Sequence, residues 1–160
     1  MSNLKINANC PYMSQALKLA EVAASLGEVP VGAVVVRDCD GVIVGSGYNR
    51  REIDKDALAH AEITAIRNAC ETLGSWRLHG CTLYVTLEPC PMCAGAIINA
   101  RLDKVVFGAY DYKSGSVGSV INLFELSYNH KPLYEGGAME EQCGGILSRF
   151  FKELRSMKND

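Results

Sequence analysis

The sequence predicts an α/β fold with a mixed sheet covered on its faces by helices, and three observations predict it. Short β-branched segments alternate with stretches of helical apolar spacing, the first two strand segments adjoin as a hairpin, and glycines stand at helix ends. The length, 160 residues, suits one domain spanning positions 1–160, large enough to bury about 70% of its unfolded surface.

From Pro11 to Leu26, apolar residues recur at Ala16, Leu19, Ala20 and Ala23, and Gly27 follows as a stop, which predicts an opening amphipathic helix. Val29 to Arg37 carries the run Val34-Val35-Val36, Asp38 to Gly41 reads as a turn, and Val42 to Gly47 returns as a second strand. A polar loop with Arg50, Arg51 and Glu52 leads to a helix from near Ala59 to Leu73, closed by Gly74. Cys81 to Leu87 reads as a buried strand, and a helix begins at the Pro89-Cys90-Pro91 segment and ends near Asn99. Lys104 to Gly108 is a further short strand, Asp111 to Gly118 a polar, glycine-bearing loop, and Glu140 to Lys158 a closing helix.

Apolar content of 48% and charged content of 21% are those of a globular chain, which excludes a disordered or low-complexity one. A net charge of −2 means that any nucleic-acid site must come from a local basic patch. The first ten residues carry no apolar leader core, and no apolar run reaches the roughly eighteen residues that span a bilayer. Seven cysteines, an odd number of which only Cys90 and Cys93 are closely spaced, fit a reduced, cytoplasmic compartment better than a disulfide framework.

Chemistry concentrates in two motifs, His60-Ala61-Glu62 and Pro89-Cys90-Pro91-Met92-Cys93. One imidazole and two thiolates supply three ligands to a single Zn2+ and leave the fourth tetrahedral position to a water or hydroxide, as in catalytic zinc sites. Glu62 is then free to carry protons. On a continuous helix two residues two apart point about 200° from each other, so His60 and Glu62 share a site only where a helix starts. Cys90 also stands at a helix start, with Pro91 in a first-turn position and Cys93 one turn along the same face. Two helix N-termini are thus expected to converge on one metal, favouring thiolate. Other readings stand beside this one. Cys-x-x-Cys could be a redox dithiol, which leaves His60 and Glu62 unexplained, or part of a structural zinc site completed by Cys81, Cys70 or His79. A structural site of that kind would make the protein a binding module without turnover.

The mechanism expected of an open zinc site is hydrolysis. Attack on an amidine-type ring carbon needs the neighbouring ring nitrogen protonated and then the departing amine protonated, and the one mobile carboxyl of Glu62 can do both. Zinc proteases more often carry His-Glu-x-x-His, which is absent.

These motifs are the known signature of the zinc-dependent nucleobase deaminases. Nearly the whole chain resembles, within them, the bacterial tRNA-specific adenosine deaminases. The likeness is carried by Val29-Pro30-Val31-Gly32-Ala33, Tyr48-Asn49-Arg50, His60-Ala61-Glu62-Ile63, Leu83 to Ala96, Val105 to Ala109, and Asp111-Tyr112-Lys113-Ser114-Gly115. The resemblance implies a cytidine-deaminase-like three-layer fold with about five strands, a single deaminase domain, and conversion of adenosine to inosine at the wobble position of a tRNA anticodon. It implies zinc on His60, Cys90 and Cys93, proton shuttling by Glu62, a nucleoside contact by Asn49, a pocket wall at Val31, and Asp111 near the target ribose. Read from spacing alone, Asn49 could serve a turn, Val31 the core, and Asp111 a turn cap. Ser116, where alanine is common, and Tyr110 and Tyr112 beside Asp111 depart from the expected loop.

An anticodon loop is already single-stranded, so splaying out one base costs little. Arg149, Lys152, Arg155 and Lys158 on the closing helix, with Arg50, Arg51 and Lys113 near the pocket mouth, are the candidate phosphate contacts; a solvated helix face is the alternative. The resemblance also implies a homodimer, in which the basic helix of one subunit would serve the other's substrate. A free-base or nucleotide deaminase acting on guanine or cytosine compounds is the competing function.

Overall fold

A computed structural model describes residues 10–158; the leaderless reading of the first ten residues falls, Cys10 apart, outside them. The elements run α1 (Pro11–Ser25), β1 (Gly32–Arg37), β2 (Val42–Tyr48), α2 (Ala61–Leu73), β3 (Cys81–Leu87), α3 (Pro91–Asn99), β4 (Lys104–Ala109), a 3-10 turn (Leu123–Glu125), β5 (Leu133–Glu135) and α4 (Glu140–Lys158). One five-stranded sheet has the order β2-β1-β3-β4-β5. β1 is antiparallel to β2 and β3, whereas β3, β4 and β5 are parallel, so the sheet is mixed as expected.

Strand alternation divides the core between the two faces. Ala33, Val35, Leu83, Val85, Val105 and Phe107 pack in one cluster with α2 and α3 residues such as Ala65, Ala69 and Ile97. Val106 and Ala109 pack with Met13 and Ala16 of α1 and Cys143 of α4 on the other. The result is three layers, helices over and under the sheet, as the resemblance implied.

α2 lies unusually close to β2. A Cβ at Gly45 would sit 2.2 Å from the Ala65 carbonyl oxygen and 2.7 Å from the Ala69 nitrogen, and one at Gly47 would sit 2.6 Å from the Ala61 oxygen. These neighbours are helix backbone and cannot swing aside, so any side chain there lifts the whole helix. Gly45→Ala is therefore expected to cost about 2 kcal/mol by overpacking, read as a lower denaturation midpoint; an unchanged midpoint would contradict this packing. Gly74, at φ 62°, ends α2 in the left-handed conformation that glycine adopts freely.

Candidate active site

Because β1 runs opposite to β3 and β4, its start lies at the same sheet rim as the ends of β2, β3 and β4. Backbone hydrogen bonds tie that rim together, from Asn49 N to Val31 O at 3.0 Å and from Glu88 N to Ala109 O at 2.8 Å. α2 and α3 both begin there. His60 and Cys90 are their N-cap residues, with extended backbones (φ −76°, ψ 153° and φ −73°, ψ 174°). This resolves the spacing problem, since His60 stands outside the helix and Glu62 just inside it. An N-cap residue normally spends its side chain on an orphan backbone N–H. Neither His60 nor Cys90 does so.

Their side chains meet each other instead. His60 Nδ1 lies 3.7 Å from Cys90 Sγ and 3.6 Å from Cys93 Sγ. Zinc–nitrogen bonds of about 2.0–2.1 Å and zinc–sulfur bonds of about 2.3 Å on a tetrahedron put such ligand atoms about 3.6 Å apart. The donor set and its spacing fit zinc. No fourth His, Cys, Asp or Glu of the described residues joins the group. Cys81, a candidate for closing the site, begins β3 at the opposite rim, and Cys70 directs its thiol to Trp76 O at 3.8 Å. The arrangement is that of an open site. Without metal, a hydrogen bond from Cys93 and the nearby His60 draw the Cys90 thiol down to about 4, while Cys93, donating to Cys90 and fully buried, is pushed up.

Glu62, 4% exposed, has its carboxyl raised to about 7, first by burial and further by Cys90. It lines a cavity of about 120 Å³ together with His60, Cys90, Val31, Asn49 and Asp111. All seven residues singled out in the sequence thus fall at one rim, Cys93 being buried behind the cavity wall. The side chains of Asn49 and Asp111 also do local work. Asn49 Nδ2 donates to Val29 O at 3.1 Å and its Oδ1 accepts from Arg51 N at 3.0 Å. Asp111 accepts from Lys113 N, Ser114 N and the Ser114 hydroxyl, capping its own loop. Arg50 is held by Asp54 at 3.0 Å and donates to the Tyr48 hydroxyl at 2.9 Å, so its guanidinium is already engaged.

Two buried carboxylates escaped the reading of the sequence. Glu28 Oε1 accepts from Ile53 N at 2.8 Å, pinning the 50–58 loop, while its buried Oε2 has no hydrogen-bond partner among the described residues. Glu88 lines the cavity and binds the 111–119 loop. Glu88 stands inside the Leu83 to Ala96 run, but nothing in that run assigns its carboxyl a role, and Glu28 is a single acidic residue between α1 and β1; only the fold buries either.

Comparison with known proteins agrees with this geometry. The family described as MafB19-like deaminase matches residues 7–155. The chain is 52% identical to the tRNA-specific adenosine deaminase of Bacillus subtilis over 92% of its own length and 91% of that protein's. The Haemophilus influenzae protein of the same description is 47% identical, covering 91% of this chain and 84% of the relative. A solved structure from a study of A-to-I editing by tRNA:A34 deaminases superposes with a TM-score of 0.80 at 44% identity, covering 85% of this chain and 98% of that one. A guanine deaminase from Nitrosomonas europaea, 21% identical with a TM-score of 0.77 over 94% and 93% of the two chains, shares the fold. The chain belongs to the MafB19-like deaminases and to the tRNA-specific adenosine deaminases.

Proposed function

We propose that this protein is a zinc hydrolase that deaminates adenosine to inosine at the wobble position of a tRNA anticodon. The observation that carries the substrate is the 52% identity to a tRNA-specific adenosine deaminase across nearly the full length of both chains. The chemistry rests on the site itself. His60, Cys90 and Cys93 hold one zinc per chain, which when bound supplies an activated water for attack on the amidine carbon of the base. Glu62, buried and lining the cavity, takes a proton from the attacking water and delivers it to the ring nitrogen. It then takes a second from the hydroxyl newly bonded to the ring carbon and passes it to the amine, which leaves as ammonia while the carbonyl forms. Val31 forms an apolar wall for the base. Asn49 keeps one amide hydrogen and one acceptor position beyond its two backbone bonds, enough to read the nucleoside, and Asp111 orders the loop beside the ribose.

The anticodon stem-loop is the partner, its phosphates met by Lys113, Arg51 and the exposed Arg149, Lys152, Arg155 and Lys158 of α4. We read residues 1–160 as one deaminase domain working as a cytoplasmic homodimer; among the described residues no helix is long and apolar enough to cross a membrane. A monomeric mass at working concentration would refute the dimer. The decisive assay incubates the protein with a stem-loop bearing a wobble adenosine and, separately, with free adenosine, adenine, guanine and cytidine. Inosine in the stem-loop alone is the expected result; product from free guanine alone would overturn the proposal.

A further inference from the structure

We propose that Glu88 is a positioning residue that fastens the 111–119 loop to the segment holding Cys90, and so sets the shape of the cavity mouth. The inference rests on the reading that this cavity receives the target nucleoside. Glu88 is 2% exposed, follows β3 directly and stands two residues before Cys90. Its Oε1 accepts from Asp111 N at 3.1 Å and from the Ser119 hydroxyl. Its Oε2 accepts from Val117 N at 3.1 Å and Ser119 N at 3.0 Å. A carboxylate has about four lone-pair sites, and all are used here. None is left to take a proton from a substrate, which separates Glu88 from Glu62.

The contact is built from both sides. Ser116 N donates to Pro89 O at 2.8 Å, and a Cβ at Gly115 would sit 2.3 Å from the Glu88 carboxyl carbon, so the loop lies flat on the carboxylate. A buried charge is tolerated where it is fully hydrogen-bonded, and charge-assisted bonds to backbone N–H groups are among the stronger ones. Asp111 and Ser114, which line the cavity, are therefore placed by a group anchored next to a zinc ligand. Glu28, equally buried, shows the contrast, with one oxygen bound to a loop and the other without a partner among the described residues.

The test is Glu88→Gln, whose amide must turn an NH2 group towards N–H donors of the loop whichever way it flips. In the free, zinc-loaded variant the amides of Asp111, Val117 and Ser119 are expected to exchange with solvent about tenfold faster or more. The KM for the stem-loop should rise about tenfold, with kcat within about threefold, because loss of placement weakens binding more than the proton transfers. Metal content and the thiolate-to-metal absorption of the cobalt-substituted protein should match the unaltered chain. Ser119→Ala, which removes one bond from the loop side, should move exchange and KM in the same direction by about threefold, and serves if Glu88→Gln fails to fold. Unchanged exchange in the variants that fold, or a collapse of kcat at constant KM, would overturn the inference. If the unaltered protein ignores the stem-loop, the function proposed above fails, while the exchange data still decide the anchor.

Discussion

Replacing Glu62 by alanine is expected to leave a folded, zinc-loaded protein that releases ammonia from wobble adenosine about a thousandfold more slowly. Positioned proton transfer contributes roughly 10²- to 10⁴-fold in enzymes, and Glu62 is asked for more than one transfer in each turnover. Its carboxyl sits in the first turn of α2, two residues after His60, and is almost fully buried. Water therefore has little access to replace it. Glu62→Gln separates shape from proton carriage, since it fills the same volume without a titratable group; both variants should be equally slow. Zinc content by elemental analysis must stay at the level of the unaltered protein, so that the loss is assigned to the carboxyl. Deamination surviving within tenfold in either variant would show that another group moves the protons.

Removing the metal should have the next largest effect. Chelation is expected to abolish deamination and to lower the unfolding temperature by about 5 °C or more, with both restored by zinc. The physical ground lies in the two N-caps. His60 and Cys90 cap neither helix through a side chain, and Cys93 is fully buried, so the metal-free site leaves three polar groups supported mainly by one another. Metal is the element that would join the starts of α2 and α3. Cys93→Ala should lose zinc and activity and should not recover either on zinc addition. Loading should also weaken as the pH falls, because the thiols must lose their protons and the imidazole must be neutral to bind. A chelated protein with full activity would refute the zinc chemistry outright.

Much of this was legible in the chain because it rests on local rules. The helices α1, α2, α3 and α4 announce themselves by apolar spacing, by Pro91 and by Gly74, and the strands β1 to β4 by β-branched runs. That His60, Cys90 and Cys93 gather at one point was legible because two helix-start motifs carry all three. β5 was not placed, although about five strands were expected: Leu133, Tyr134 and Glu135 are all exposed, so no alternation of apolar and polar residues marks them. They form a strand only because β4 offers them a parallel edge. The 3-10 turn at Leu123–Glu125 is equally silent. Glu28 and Glu88 were missed for a different reason. An acidic residue reads as solvated in sequence, and what makes these two structural is a set of backbone N–H donors distant in the chain. The open alternatives for Asn49 and Asp111 also proved informative, since both side chains make the turn contacts that spacing suggested while facing the cavity.

The close seat of α2 on β2 has a consequence for how this protein could be re-engineered. Gly45 and Gly47 lock the helix that follows His60 and carries Glu62 to the sheet by backbone contact, whereas the part of the cavity wall formed by Asp111 and Ser114 hangs on a loop held by the Glu88 carboxylate. The reactive centre and the rim that surrounds it are therefore mechanically separable. Grafting a foreign 111–119 loop would alter the wall formed by Asp111 and Ser114 while the helix carrying Glu62 stays in register, so long as the graft brings N–H donors for Glu88.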